Sequence, residues 1–327
     1  MTDGWFVPSM PDLNQKNPFV ANFLIQHALW TVEEYGIDGW RIDTYAYNDL
    51  EFMNRCNKAL LNEYPKLTIF GETWVHGVIN QSFFVSNNYK IKYQSNQPGV
   101  TDFQTLWGIQ ETMTKDFGWN DGVNKLYTTI AQDFVYKDPM QNVVFLDNHD
   151  LSRFYSTIGE DMNKYLMSIG WLLTTRGTPQ WYYGAEIGMK GLANPDGWVR
   201  MDFPGGWAGD TENKFIEKGR SPREDSIFNY TKKLASFRKK SSAIKTGKLM
   251  QFVPEDAVYT YFRYDKDQTV MIIMNTGKED RTIDPQRFAE RLNGAKKLKD
   301  VMDGSQRETN QKWKVPAQTI WIMELEK

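Results

Sequence analysis

Cysteine is almost absent from this chain. The single Cys56 among 327 residues excludes an intrachain disulfide and any zinc site built on two or four thiolates. Only three histidines occur, His27, His76 and His149, and none falls in an HExxH arrangement, which argues against a zinc hydrolase. Charge of one sign is lacking too. The formal net charge is −2 and the pI about 6.0, so no electrostatic footprint points to nucleic acid. No apolar run approaches the roughly 18–20 residues of a membrane span, and the mean hydropathy is −0.60. The start shows no basic segment followed by an apolar one, so no signal peptide is read; localisation stays unassigned. What is present is a globular balance, 40% hydrophobic and 24% charged, with 12 Trp, 16 Tyr and 19 Phe.

The periodicity changes once along the chain. Residues 1–18 are rich in Pro, Asn and Asp and read as an irregular lead-in. Asn17-Pro18 then supplies an N-cap and a first-turn proline. Val20, Phe23, Leu24, Ala28 and Val32 follow at helical spacing up to Gly36. A short strand in IDGWRID precedes a helix over 48–63 that Pro65 ends, and LTIFGE is a second strand. Further strands are expected over 99–107, in NVVFLDNHD (142–150) and in TPQWYYGAE (178–186). Helices are expected from Met162 to Leu173 and over 224–239. This alternation is that of a parallel α/β sheet or barrel. Beyond it, AVYTYFRYD, QTVMIIMNT, KKLKDVMDG and AQTIWIMELE are β-rich and separated by turns, which predicts a small antiparallel β-domain. The expected division is 1–239 and 240–327. The basic run Arg238, Lys239, Lys240, Lys245 and Lys248 at the junction reads as a solvated face.

Three expected strands end on a carboxylate: Asp43, Glu72 and Asp150. Any one of them alone reads as a cap for the next helix. In a parallel α/β barrel, however, strand ends share one face and their side chains converge. Grouped carboxylates suit acid/base and nucleophilic work on an acetal, and their mutual repulsion raises pKa values. Arg41, two residues before Asp43, points to the same face and can hold that carboxylate as a nucleophile requires. His149, flanked by Asn148 and Asp150, can donate to a sugar hydroxyl.

GIDGWRID (36–43), FGETW (70–74) and FLDNHD (145–150) resemble three of the four short signature regions of the α-amylase family, glycoside hydrolase family 13. Their order and spacing fit strands four, five and seven of its (β/α)8 barrel. MPDLN (10–14) resembles the extra region before strand four in the neopullulanase, cyclomaltodextrinase and oligo-1,6-glucosidase branches. GTPQWYYGAE (177–186) is similar to the strand-eight segment, and VRMDFPGGW (199–207) to the loop after it. The resemblance implies a TIM-type barrel represented by about strands four to eight, followed by a small antiparallel β-sandwich. It implies a retaining double displacement on α-glucan oligosaccharides, with Asp43 as nucleophile, Glu72 as general acid/base and Asp150 as the residue holding sugar hydroxyls. Arg41 supports the nucleophile, His149 binds the sugar at the cleaved position, and Trp74 either stacks on a glucose ring or packs internally. Retention predicts roughly 5–5.5 Å between the two catalytic carboxyls.

The pattern departs from the family in one large respect. The first signature, Asp-x-x-x-Asn-His after strand three, is absent, as are strands one to three. On this reading the chain is the C-terminal part of a longer enzyme, inactive or weak alone, whose open sheet edges favour homodimer pairing. Calcium is common in the family, but its usual ligands come largely from the absent part, so no metal site is assigned and no other cofactor is expected. Tyr47, four past Asp43, stands where many amylases have His, which leaves bond preference open. A non-catalytic relative and a transglycosylase or isomerase of the same fold are the alternative readings.

Overall fold

The structure is a computed structural model and describes residues 4–292 and 294–326. The chain forms two compact units, Met1–Gln104 with Gln132–Val144, and Thr105–Ala131 with Phe145–Lys327.

In the first unit the lead-in is not wholly irregular. Strands β1 (Trp5–Val7) and β2 (Met10–Pro11) pair as an antiparallel hairpin; residues 1–3 of that segment lie outside the described residues. Helix α1 (Pro18–Tyr35) begins where expected: the Asn17 side chain accepts from the Phe19 and Val20 amides. It ends at Gly36, whose φ of 60° is left-handed and costs glycine nothing. Ala21, Ala28 and Val32 of α1 pack on Tyr45, Phe52, Met53, Cys56, Leu60, Leu67 and Ile69. Phe23, expected on that buried face, is 64% exposed instead. It continues an aromatic ladder through His27, Trp30 and Tyr35 along the outside of the helix.

Strand β3 (Gly39–Ile42), helix α2 (Leu50–Glu63) and strand β4 (Thr68–Gly71) follow, α2 being capped by Asp49. Helix α3 (Val78–Phe83) leads to β5 (Gly99–Val100). The three strands form a parallel sheet in the order β3-β4-β5, with β3 at its edge. A parallel bridge from Thr101 to Val143 extends the succession to β6 (Val143–Val144).

Three expected strands are much shorter than read, that over 178–186 reaching only from Thr178 to Pro179. Residues 103–107 belong to helix α4 (Phe103–Thr114), because Gln104, Thr105 and Leu106 lack the alternation that pairing demands. Residues 145–150 stay largely buried but leave the ladder after Val144.

The second unit contains α5 (Val123–Ile130), α6 (Phe154–Thr157), α7 (Met162–Thr174), a two-residue β7 (Thr178–Pro179) and α8 (Pro222–Lys240). A capping box of Ser221 and Glu224 starts α8. The basic run at its end is exposed at the four lysines, but Arg238 is half-buried. It donates to the Leu173 and Gly177 carbonyls, and burial lowers its pKa to about 10.

Then come β8 (Lys248–Glu255), β9 (Val258–Tyr264), β10 (Thr269–Asn275), β11 (Arg281–Ile283), β12 (Lys297–Asp300), β13 (Gln306–Glu308), β14 (Trp313–Val315) and β15 (Thr319–Glu326). Six make one sheet, β13-β12-β15-β10-β9-β8, and β11 pairs with β14. Phe262, Met271, Ile273 and Met323 of the large sheet meet Ile283, Trp313 and Val315 of the small one in a common core.

Candidate active site

The first unit brings two strand ends together. In the parallel register Ile42 lies opposite Gly71, so Asp43 and Glu72 leave β3 and β4 side by side. The backbone is fixed on both sides: the Glu72 amide donates to the Ile42 carbonyl at 2.8 Å, and the Tyr45 amide donates to the Glu72 carbonyl at 2.9 Å. Gly71 is required here. A Cβ on it would lie 2.5 Å from Cγ of Tyr45, whose fully buried ring lies over the strand. Thr44 sits at φ 45°, ψ 38°, a left-handed conformation that a β-branched residue rarely adopts. That turn aims its amide at Oε2 of Glu72, 3.1 Å away. Strain of this kind persists only where surrounding contacts enforce it.

One guanidinium joins the two acids. Arg41 Nη1 donates to Oδ1 of Asp43 at 2.7 Å, and Nη2 donates to Oε1 of Glu72 at 2.6 Å. Their surroundings differ: the Asp43 side chain is 61% exposed and that of Glu72 only 7%. Burial pushes the Glu72 carboxyl above the usual carboxylate range, against the Thr44 amide and then the Arg41 charge, which pull it down. The neighbouring Asp43 carboxyl raises it further. Both acids are thus drawn to a single guanidinium, that of Arg41. A buried acid held toward its protonated form beside an exposed carboxylate is a division of roles made by environment.

Trp74 stacks on the buried Phe103, ring centroids 4.9 Å apart and planes 17° from parallel, while 42% of the residue remains exposed. The backbone after it is pinned by Gln104, which donates to the Val75 carbonyl at 2.6 Å and accepts from the Gly77 amide at 2.8 Å.

His149 and Asp150 belong to the second unit. His149 Nε2 lies 3.3 Å from Oδ2 of Asp150, and Asn148 Oδ1 accepts from the Asp150 amide. Arg200 carries no local signal that singles it out, although it stands inside VRMDFPGGW. Its Nε donates to the His149 carbonyl at 2.9 Å, and its Nη2 to Oδ1 of Asp150 at 3.0 Å. A fourth carboxylate also went unnoticed. Asp147 is fully buried, accepts from the Phe154 amide at 2.7 Å, and is pushed up to about 6 by burial. Among the described residues no three His, Cys, Asp or Glu side chains are grouped to hold a metal ion. No helix of the described residues is long and apolar enough to cross a membrane.

The family model of the α-amylase catalytic domain matches residues 4–203, and that of the cyclo-malto-dextrinase C-terminal domain matches residues 249–324. A maltogenic α-amylase of Bacillus acidopullulyticus is 27% identical over 279 residues, covering 84% of this chain and 43% of the relative. A cyclomaltodextrinase of Geobacillus thermopakistaniensis is 27% identical over 282 residues, covering 84% and 42%. The chain thus spans little more than two-fifths of the length of these curated relatives. Among solved structures, the α-amylase of Geobacillus thermoleovorans complexed with acarbose superposes with a TM-score of 0.79 at 22% identity, covering 100% of this chain and 68% of that one. That likeness is one of fold.

Proposed function

The chain belongs to the α-amylase family, and on that premise we propose that it serves a retaining hydrolysis of α-glucosidic bonds in starch-derived oligosaccharides, cyclodextrins or pullulan. Asp43 attacks the anomeric carbon while Glu72 protonates the departing glycosidic oxygen. The glycosyl ester on Asp43 is then released by water, whose proton returns to Glu72. Asp150 and His149 hold sugar hydroxyls, and the exposed part of Trp74 faces the leaving sugar.

The observation that carries this reading is the unequal carboxyl pair on Arg41: an exposed nucleophile 2.7 Å from the guanidinium and a buried acid 2.6 Å from it. Relatives named maltogenic α-amylase, cyclomaltodextrinase and neopullulanase support the substrate class. The unpaired edge of β3 and the exposed aromatic ladder of α1 support self-association through that edge.

The test is reducing-sugar release by the purified chain from β-cyclodextrin, pullulan and amylose, with Glu72→Gln as control and oligomeric state followed by light scattering. Release that Glu72→Gln abolishes supports the proposal, and product analysis separates hydrolysis from transfer to a sugar hydroxyl. Release undiminished in Glu72→Gln refutes the assigned acid. No release from any of the three glucans refutes the proposal for this chain.

A further inference from the structure

Asp150 and His149 are held from outside by Arg200, and that grip cannot fix itself. The side chains of Arg200, His149 and Asp150 are 45%, 43% and 32% exposed, and ion pairs in such surroundings are too weak to set a geometry. Arg200 also shares its Nη2 with Asp196, 3.2 Å away, so its charge alone does not select Asp150. The order has to come from the backbone of the turn Asp196–Arg200.

That backbone is tied on both sides of Arg200. The Tyr182 hydroxyl donates to the Val199 carbonyl at 3.0 Å, and the Tyr183 hydroxyl donates to the Met201 carbonyl at 2.8 Å. Two adjacent tyrosines thus grip the residues immediately before and after the arginine. The two rings lie 4.7 Å apart, edge to face. Beneath them is Arg153, only 1% exposed, with its guanidinium carbon 4.0 Å from the Tyr182 ring centroid and 4.8 Å from that of Tyr183. Its Nη1 donates to the Tyr183 carbonyl at 2.5 Å. Its charge acts on the buried Asp147 carboxylate, but its Nε and Nη2 are buried without a hydrogen-bond partner, an arrangement that folded proteins rarely keep for packing alone.

We propose that Arg153 is a positioning residue: through Tyr182 and Tyr183 it holds the turn Asp196–Arg200, and with it Arg200, on the Asp150 carboxylate and the His149 backbone. The inference deepens the reading of Asp150 as the residue that holds sugar hydroxyls and rests on it for its catalytic consequence. The mechanical link does not rest on that reading and is measured separately.

The direct readout is solvent exchange of the Arg200 Nε–H, followed by ¹⁵N NMR in the full chain. Its bond to the His149 carbonyl is expected to slow this exchange in the native protein. Tyr182→Phe/Tyr183→Phe removes two hydroxyls and little else. It is expected to speed that exchange by about tenfold, the scale of losing the bonds that pin the turn. Arg153→Met is expected to do the same, and Arg153→Lys to restore none of it, since an ammonium neither stacks flat nor keeps the fork of donors. A merely structural Arg153 would lower the thermal midpoint without moving Arg200. Unchanged exchange in a folded Tyr182→Phe/Tyr183→Phe variant overturns the proposal. Where β-cyclodextrin is turned over, the same variant is expected to lose kcat more than it raises KM. Failure of all turnover would count against the functional reading and leave the exchange result to decide the link.

Discussion

Replacing Arg41 by Met keeps most of the aliphatic stem and removes the guanidinium that joins Asp43 to Glu72. Two losses result, and their sizes differ. The Asp43 half involves a side chain that is 61% exposed, so it contributes at most about 0.5–1 kcal/mol. The Glu72 half leaves a carboxyl with a 7% exposed side chain without its cation. Removing one partner of a fully buried pair costs about 3–5 kcal/mol. Arg41 is 30% exposed and the Thr44 amide still donates to Glu72, which brings the expectation down to about 1–3 kcal/mol. The Glu72 contribution therefore dominates, and it depends on pH.

Burial raises the folded pKa of Glu72, so its protonated form favours the folded state. That stabilisation is present below the unfolded carboxylate pKa and is lost as pH rises through the folded value. Arg41 pulls the folded value down, so Arg41→Met carries the loss to higher pH and enlarges it. Urea unfolding followed by tryptophan fluorescence should show Arg41→Met close to wild type near pH 4 and weaker by about 1–3 kcal/mol near pH 8. An equal deficit at both pH values would refute the reasoning, because it would place the loss in packing of the stem.

Two further outcomes test the surroundings. Gly71→Ala places a Cβ 2.5 Å from the buried Tyr45 ring and should destabilise by about 1–3 kcal/mol, with an unchanged thermal midpoint as the contrary result. Asp147 is raised from 3.8 to about 6 by burial, so wild type should lose roughly 3 kcal/mol of its contribution as pH rises through that window. Asp147→Asn keeps an acceptor for the Phe154 amide and should remove that slope; denaturant unfolding at several pH values between about 4 and 7 would show whether it does.

The parts of the fold that were legible in the sequence are those whose local chemistry and tertiary surroundings agree. Asn17-Pro18 and Gly36 bracket α1 because a cap, a first-turn proline and a left-handed stop act within a few residues. The strands Val258–Tyr264 and Thr269–Asn275 were readable because β-branched and aromatic residues run unbroken between turns. Reading failed where burial and pairing part company. Phe145 and Leu146 are almost fully buried, as in a central strand, yet lie past the end of β6, and periodicity cannot separate buried extended chain from sheet. Phe23 failed for the opposite reason: a helical apolar stripe shows which residues share a face, not whether a neighbour covers it.

The same distinction explains what was and was not visible at the site. Asp43, Glu72 and Arg41 were found because each stands at a strand end within a short contiguous signature. Thr44 was not, since its contribution is a backbone amide turned by a positive φ, and side-chain chemistry carries no trace of that. Arg200 was invisible because the site residues it holds are 50 and 51 residues away, while its one neighbour in spacing, Asp196, reads only as an exposed i,i+4 pair. Arg153 was harder still. It stacks on two tyrosine faces and donates to one carbonyl, its charge acts on the buried Asp147 carboxylate, and two of its donors make no hydrogen bond. The Asp147 carboxylate accounts for the charge of this buried guanidinium, but its two donors without a hydrogen bond call for an explanation in what Arg153 supports. The contacts that run from it through two hydroxyls to the residues on either side of Arg200 supply that explanation in geometry that no sequence motif encodes.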